Sequence, residues 1–142
     1  MDTTQQILDL IAPFVKEGKI LPRTYAQIED SITDFVLLMQ ADTVIACAGL
    51  KHCQEGGVGE IYALAVSKSV QNQGISTKLL DKIMHKAAAD KLSKVFALTK
   101  HNAKWFLKQG FVQMQIDELP KKRQVLFDHQ RNSSVFFKEV IV

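Results

Sequence analysis

GEIYALAVSKSVQNQGISTKLL, residues 59–80, decides how this chain is read. The apolar run at 60–66 has the look of a buried strand. A short loop rich in side-chain amides follows, with a single glycine, Gly74. Then ISTKLL starts the apolar rhythm of a helix. Such a strand feeds backbone N–H groups into a helix N-terminus, a ready anion site, usually for phosphate. One carboxylate, Glu60, stands at the upstream end of the same strand among apolar and small residues. An acid at one end and a diphosphate cradle at the other point to an enzyme that uses a long phosphorylated cofactor.

The flanking sequence supplies a scaffold for that pair. Downstream, residues 74–91 place Ile75, Leu79, Leu80, Ile83, Met84 and Ala87 on one face of an amphipathic helix. KVFALT, 94–99, reads as a short buried strand. Strand, helix and strand make a crossover, so 60–66 and 94–99 are expected to be parallel, with a right-handed connection. A helix over 102–109 should stop at Gly110 in a left-handed cap. Strands over 111–116 and 135–142 follow, with a helix opened by Pro120 between them that contains Val125 and Leu126. Upstream, 34–40 and 43–51 form a hairpin about Ala41-Asp42, and the glycines of 55–59 turn the chain into the central strand. Residues 4–17 have helical spacing, with Pro13 expected to kink the second half. KILP, 19–22, is extended, and Thr24 with Gln27 makes a capping box for a second helix carrying Ile28 and Ile32.

Composition excludes several classes. The 142 residues fit one domain, 1–142, with 46% hydrophobic and 23% charged residues. A net charge of +3 is too mild to indicate a nucleic-acid partner. No apolar run reaches the ~20 residues of a membrane span, and no basic stretch followed by an apolar core opens the chain. No membrane association is expected, and the cytoplasm is the expected compartment. Cys47 and Cys53 share a strand and its end, which does not favour a disulfide. His52, His85, His101 and His129 show no ligand spacing, so no metal site is expected and all four are read as non-catalytic.

EIYALAVSKSVQNQGIS, a long helix, a short strand and then WFLKQGF together resemble the GNAT acyl-CoA N-acyltransferases. That family's loop reads Q/R-x-x-G-x-G/A, and Gln71, Gly74 and Ser76 stand at those positions, Ser76 in place of the usual small residue. Over nearly the whole chain, FVLLMQADTVIACAGLK, GEIYALAV, KVFALT, KWFLKQGF, DELPKKRQVLF and RNSSVFF are similar to the acetyltransferase domain of N-acetylglutamate synthases. The resemblance implies a GNAT fold of the α/β class: a mixed, mostly antiparallel sheet splayed between two parallel central strands, with helices on both faces. It also implies acetyl-CoA as co-substrate, an amino acid, L-glutamate first, as acceptor, and on family grounds a homodimer.

It further assigns roles residue by residue. Glu60 would be the general base, because an α-ammonium must lose a proton before its nitrogen can attack a thioester. The backbone of Leu64, Ala65 and Val66 would bond the pantetheine arm and polarise the thioester carbonyl. Gln71 marks the start of the loop, and Asn72, Gln73, Gly74, Ile75, Ser76 and Thr77 would present N–H groups to the pyrophosphate. A side chain at Gly74 would block that approach. Many GNAT enzymes have a tyrosine where this chain has Phe106, so an acid for the leaving thiolate is missing there and Phe106 is assigned to core or cofactor packing. Arg23, Lys51 and Arg131 would meet the acceptor's carboxylates, with Thr99 and Ser133 lining the site and Lys122 and Arg123 as possible extra contacts. Two other readings stay open: an acetyltransferase for another small amine or a protein N-terminus, and an acyl-CoA-binding sensor without catalysis.

Overall fold

A computed structural model describes residues 2–53, 56–71, 73–128, 131 and 133–141. It has five α-helices, α1 Thr3–Lys16, α2 Tyr25–Asp30, α3 Ile75–Ala89, α4 Ala103–Lys108 and α5 Lys121–Val125, among the described residues. Its strands are β1 Phe35–Gln40, β2 Thr43–His52, β3 Val58–Val66, β4 Lys94–Thr99, β5 Val112–Met114 and β6 Ser134–Glu139. They lie in a sheet in the order β1-β2-β3-β4-β6-β5. β3 and β4 are parallel, from Val58↔Lys94 to Ile61↔Ala97, and the β1–β2, β4–β6 and β5–β6 pairs are antiparallel. This is the mixed α/β class expected, with its parallel pair where the crossover puts it. The chain divides into two compact units, one formed by Met1–Leu50 with Ala63–Ile83 and the other by Lys51–Tyr62 with Met84–Val142.

In the first unit, α1 begins at Asp2, whose carboxylate accepts from the Gln5 N–H at 2.8 Å, and buries Ile7 and Ile11. The helix carries on through Pro13 to Lys16. Pro13 lacks the N–H that would bond back one turn to Asp9, while its own carbonyl accepts from the Glu17 N–H at 3.1 Å. The Gln6 amide ties this helix to the β1–β2 hairpin: its oxygen accepts from the Val44 N–H at 2.8 Å and its NH2 donates to the Asp42 carbonyl at 3.3 Å. At the hairpin tip Ala41 takes a left-handed φ of 54°. From Val44 to Leu50 every residue of β2 is buried, so this strand is core on both faces. The capping box of α2 is present in both directions, Gln27 N–H to Thr24 Oγ1 at 3.2 Å and Thr24 N–H to Gln27 Oε1 at 2.9 Å. Leu79, Leu80 and Ile83 are the buried stripe of the first turns of α3.

The second unit packs Val58, Phe96, Leu119, Phe127, Val135 and Phe137 into one apolar cluster. Phe96 and Phe137 meet with ring centroids 5.5 Å apart. Gly110 caps α4 with φ +88°, as its position predicts. The strand expected over 111–116 is shorter, because the Phe111 N–H still bonds back to the Phe106 carbonyl of α4 and Ile116 enters a 3-10 turn. The last strand leaves its ladder early, where the Val140 N–H turns to the Ser93 carbonyl. Val125 and Leu126 are 84% and 71% exposed, so the apolar residues of α5 are not its anchors. Among the described residues no helix is long and apolar enough to cross a membrane.

Two measurements test this account. Thr24→Ala removes one arm of the capping box and should cost about 1 kcal/mol, read as a lower urea midpoint at unchanged slope. Cys47 is fully buried and its thiol donates to the Ala63 carbonyl at 3.4 Å. Burial pushes that thiol up to about 12. Folding therefore holds a proton that the unfolded chain releases, and stability should fall as pH rises past the unfolded thiol's range, about 8.5. A thiol-titrating disulfide reagent at pH 8 should modify Cys53, which is half-buried, and reach Cys47 only on unfolding.

Candidate functional site

Glu60, the carboxylate singled out on β3, is not alone. Arg123 holds it by both oxygens, Nε to Oε1 at 2.7 Å and Nη2 to Oε2 at 3.2 Å. The two side chains are only 15% and 19% exposed. Pairing with a guanidinium is what makes so dry a carboxylate tolerable. Arg123 reaches it from α5, a helix of one turn that cannot stand by itself. The Pro120 carbonyl accepts from the Arg123 and Gln124 N–H groups at 2.9 and 3.0 Å. The Gln124 side chain donates to the carbonyls of Asp117 at 3.1 Å and Leu119 at 2.7 Å. Leu119 and Phe127, buried on either side, pin the segment to the cluster that contains Val58, two residues before Glu60. The sequence reading gave Arg123 only as an extra acceptor contact. The signal for its partner was a polar stretch bracketed by Leu119 and Phe127, which must dock and so must bring a charge to the sheet.

The other candidates of this unit are distributed as follows. Lys51 is exposed at the end of β2. Thr99 ends β4, and its hydroxyl accepts from the His101 and Asn102 N–H groups at 3.3 and 3.0 Å, fixing the turn into α4. Arg131 and Ser133 are half-buried just before β6. Phe106 is 5% exposed, edge-on to Phe111 at 5.0 Å and stacked on Phe136 at 6.0 Å, within an aromatic cluster. A cavity of about 420 Å³ is lined by Val58, Lys94, Leu119, Pro120, Lys121 and Gln124 among others, residues the sequence had not singled out.

The loop belongs to the first unit. Ala63 has φ 51°, a left-handed residue inside β3. After it Ala65 is buried while Leu64 and Val66 are half-buried. The Gln71 amide donates to the Val66 carbonyl at 3.3 Å, and Val70 is buried, so the start of the loop is tied down from both sides. Asn72 lies outside the described residues, as does His129. Gln73 and Gly74 are exposed, and Gly74 has φ +73° immediately before α3. A Cβ built there meets nothing within 4 Å. The glycine is thus needed for its backbone angle, and the space over it is open to a ligand. Ile75 and Ser76 are half-buried and Thr77 exposed on the first turn of α3, which carries no acidic residue. The first-turn N–H groups and positive end of this 15-residue helix suit a diphosphate. Arg23, half-buried, donates to the carbonyl of Leu21 at 3.0 Å. Among the described residues no group of three or more His, Cys, Asp or Glu side chains gathers where a metal ion could be held, and His52 sits 2.9 Å from Asp90.

Comparison with known proteins shows the family. The sequence model of the acetyltransferase (GNAT) family matches residues 4–111. The amino-acid acetyltransferase of Aliivibrio fischeri is 36% identical over 135 residues, 95% of this chain and 30% of that protein. That of Ralstonia nicotianae is 34% identical over 140 residues, 99% of this chain and 31% of that one. Among solved structures, N-acetylglutamate synthase from Neisseria gonorrhoeae, complexed with coenzyme A and N-acetyl-glutamate, superposes with a TM-score of 0.93. The two are 33% identical, with 97% of this chain and 33% of that one covered. The chain spans about a third of the length of the curated relatives it matches.

The loop geometry carries a prediction of its own. Gly74→Ala should cost about 1–2 kcal/mol of ligand-free stability through the left-handed φ alone, since its methyl meets open space. Chemical denaturation without any ligand measures it, and a neutral result would remove the backbone reason for the glycine.

Proposed function

The chain belongs to the acetyltransferase (GNAT) family, and on that footing we propose that it is one catalytic domain that moves the acetyl group of acetyl-CoA to the α-amine of an amino acid, L-glutamate first. The observation that carries this is the succession along one stretch of chain. Glu60, in its ion pair, is followed four residues on by Leu64, Ala65 and Val66, and then by the open Gly74 turn at the head of α3. The likeness to the N-acetylglutamate synthase structure over 97% of this chain supports the choice of acceptor. With glutamate as acceptor the product is the first intermediate of arginine biosynthesis.

Acetyl-CoA supplies an activated acetyl thioester. Gly74 and the N–H groups of Gln73, Ile75, Ser76 and Thr77 would hold its diphosphate, with Gln71 bracing the loop. The peptide groups of Leu64, Ala65 and Val66 would bond the pantetheine arm as an added strand, and one of their N–H groups would stabilise the developing oxyanion. Glu60 would take the proton from the acceptor's ammonium, directly or through water, so that the nitrogen lone pair can attack. Lys51, Arg131 and Arg23 would meet the acceptor's carboxylates, with Thr99 and Ser133 beside them. Transfer would be direct, because the one fully buried thiol, Cys47, is held protonated by its surroundings and makes a poor nucleophile. Phe106 offers no proton, so the departing thiolate would draw one from solvent or from the acceptor.

Release of free thiol from acetyl-CoA, with product mass confirmed, tests the reading across L-glutamate, the other common amino acids and several polyamines. Glutamate should be turned over selectively, Glu60→Gln should lower kcat by about 100-fold or more, and Arg131→Ala should act chiefly on the KM for glutamate. Selective turnover of another amine would overturn the glutamate assignment. Retained acetyl-CoA binding with no turnover of any amine would overturn the enzyme in favour of an acyl-CoA sensor.

A further inference from the structure

We propose that Lys68 is a positioning residue of the diphosphate loop: Glu17 and Phe14, at the end of α1, hold its side chain and so fix the turn from which residues 71–74 spring. This rests on the reading of that loop as the acetyl-CoA site. Lys68 opens the 3-10 turn Lys68–Val70 between β3 and the loop. Its ammonium pairs with one oxygen of the Glu17 carboxylate and lies 5.6 Å from the centroid of the Phe14 ring. Lys19 pairs with the other oxygen at 3.1 Å. The two cations, Lys68 foremost, hold the Glu17 carboxyl below the usual carboxylate range. They also stand at the C-terminal end of α1, where the helix dipole favours positive charge.

The holder is itself held. α1 closes at Gly18, φ +75°, with the Lys19 N–H donating to the Phe14 carbonyl at 2.9 Å and the Gly18 N–H to the Val15 carbonyl at 3.0 Å. Ile20 is buried just beyond. On the loop side, the Ser67 N–H donates to the Ile45 carbonyl at 2.8 Å and the Val70 N–H to the Ser67 carbonyl at 3.1 Å. Those bonds tie the turn to β2, while Gln73 and Gly74 stay exposed. Lys68 adds a tie to α1, and all these residues lie in the first compact unit. A loop placed before its ligand arrives loses less freedom on binding. A cation beside an anion loop would ordinarily be read as a phosphate ligand, but this one is turned to Glu17. The two roles differ in what Glu17 does: an anchor needs it, whereas a phosphate ligand competes with it.

Calorimetric titration with coenzyme A, beside steady-state kinetics, tests the anchor. Lys68→Ala should weaken coenzyme A by about five-fold and Glu17→Gln by about three-fold, since both cut the tie and the first also loses the ring contact. The KM for acetyl-CoA should rise in step, with kcat and the KM for glutamate within about two-fold of wild type. The charge-reversed variant Glu17→Lys/Lys68→Glu should bind more tightly than either single variant, because it restores the tie with its ends exchanged. The urea midpoints should stay close to wild type, as the pair is half in solvent. Loss in Lys68→Ala alone, with Glu17→Gln at wild-type affinity or tighter, would overturn the proposal by making Lys68 a phosphate ligand. A charge-reversed variant no tighter than the single ones would overturn it as well, and so would midpoints that fall with the affinity. Wild-type affinity in both single variants would overturn this role alone. Wild-type protein that binds no coenzyme A would overturn the acetyl-CoA reading of the loop together with it.

Discussion

Two opposite charges kept largely out of water set the strictest condition on this structure. Without its partner, Glu60 or Arg123 would be left as an unpaired charge at a half-buried place. The pair holds only while α5 is docked, and α5 is too short to fold unaided. Its docking depends on Leu119 and Phe127 in the apolar cluster and on the Gln124 amide, which satisfies two carbonyls that the turn leaves open. Core packing, a one-turn helix, an arginine and a carboxylate form a single dependency. Each link uses a different kind of interaction, so each fails to a different substitution.

The second constraint is in the backbone of β3. Up to Ile61 the strand pairs in parallel with β4. Two residues later Ala63 adopts φ 51°, a conformation that costs a non-glycine residue about 1 kcal/mol or more. Alanine keeps that cost low, since a β-branched side chain would crowd its own carbonyl. The compact units also exchange at this residue, so Glu60 lies in one while Leu64 to Val66 and the Gly74 turn lie in the other. One continuous strand therefore carries a carboxylate in one unit and the lead into the Gly74 turn in the next.

Most of the scaffold could be read from residues alone because its signals were local. The Thr24–Gln27 box, the glycine stop at 110 and the parallel placement of 60–66 and 94–99 each follow from spacing within a few turns or from connection handedness. Where the reading slipped, a neighbour decided. α1 runs on past Pro13 to Lys16, with Ile11 buried just before the proline. β5 stopped at Met114 because the 3-10 turn at Ile116 begins the descent to Leu119. At Gly74 the left-handed φ of +73° adds a backbone reason for the glycine that spacing alone does not reveal. The pairing of Arg123 with Glu60 was the largest omission. Nothing within LPKKRQVLF says which of three cations turns inward, and its partner is 63 positions away in the chain.

These placements also take several groups out of proton chemistry. The position where many family members carry a hydroxyl is here Phe106, buried against Phe111 and Phe136 with no polar atom to offer. Cys47 is sealed in β2 with its proton held. The Thr99 hydroxyl is engaged by two backbone N–H groups. Glu60 is set apart from these groups by the guanidinium that holds both of its oxygens. What such a fork gives a carboxylate is orientation, because two parallel bonds fix a plane that one bond would leave free to swivel. The ion pair is therefore best understood as a constraint on aim.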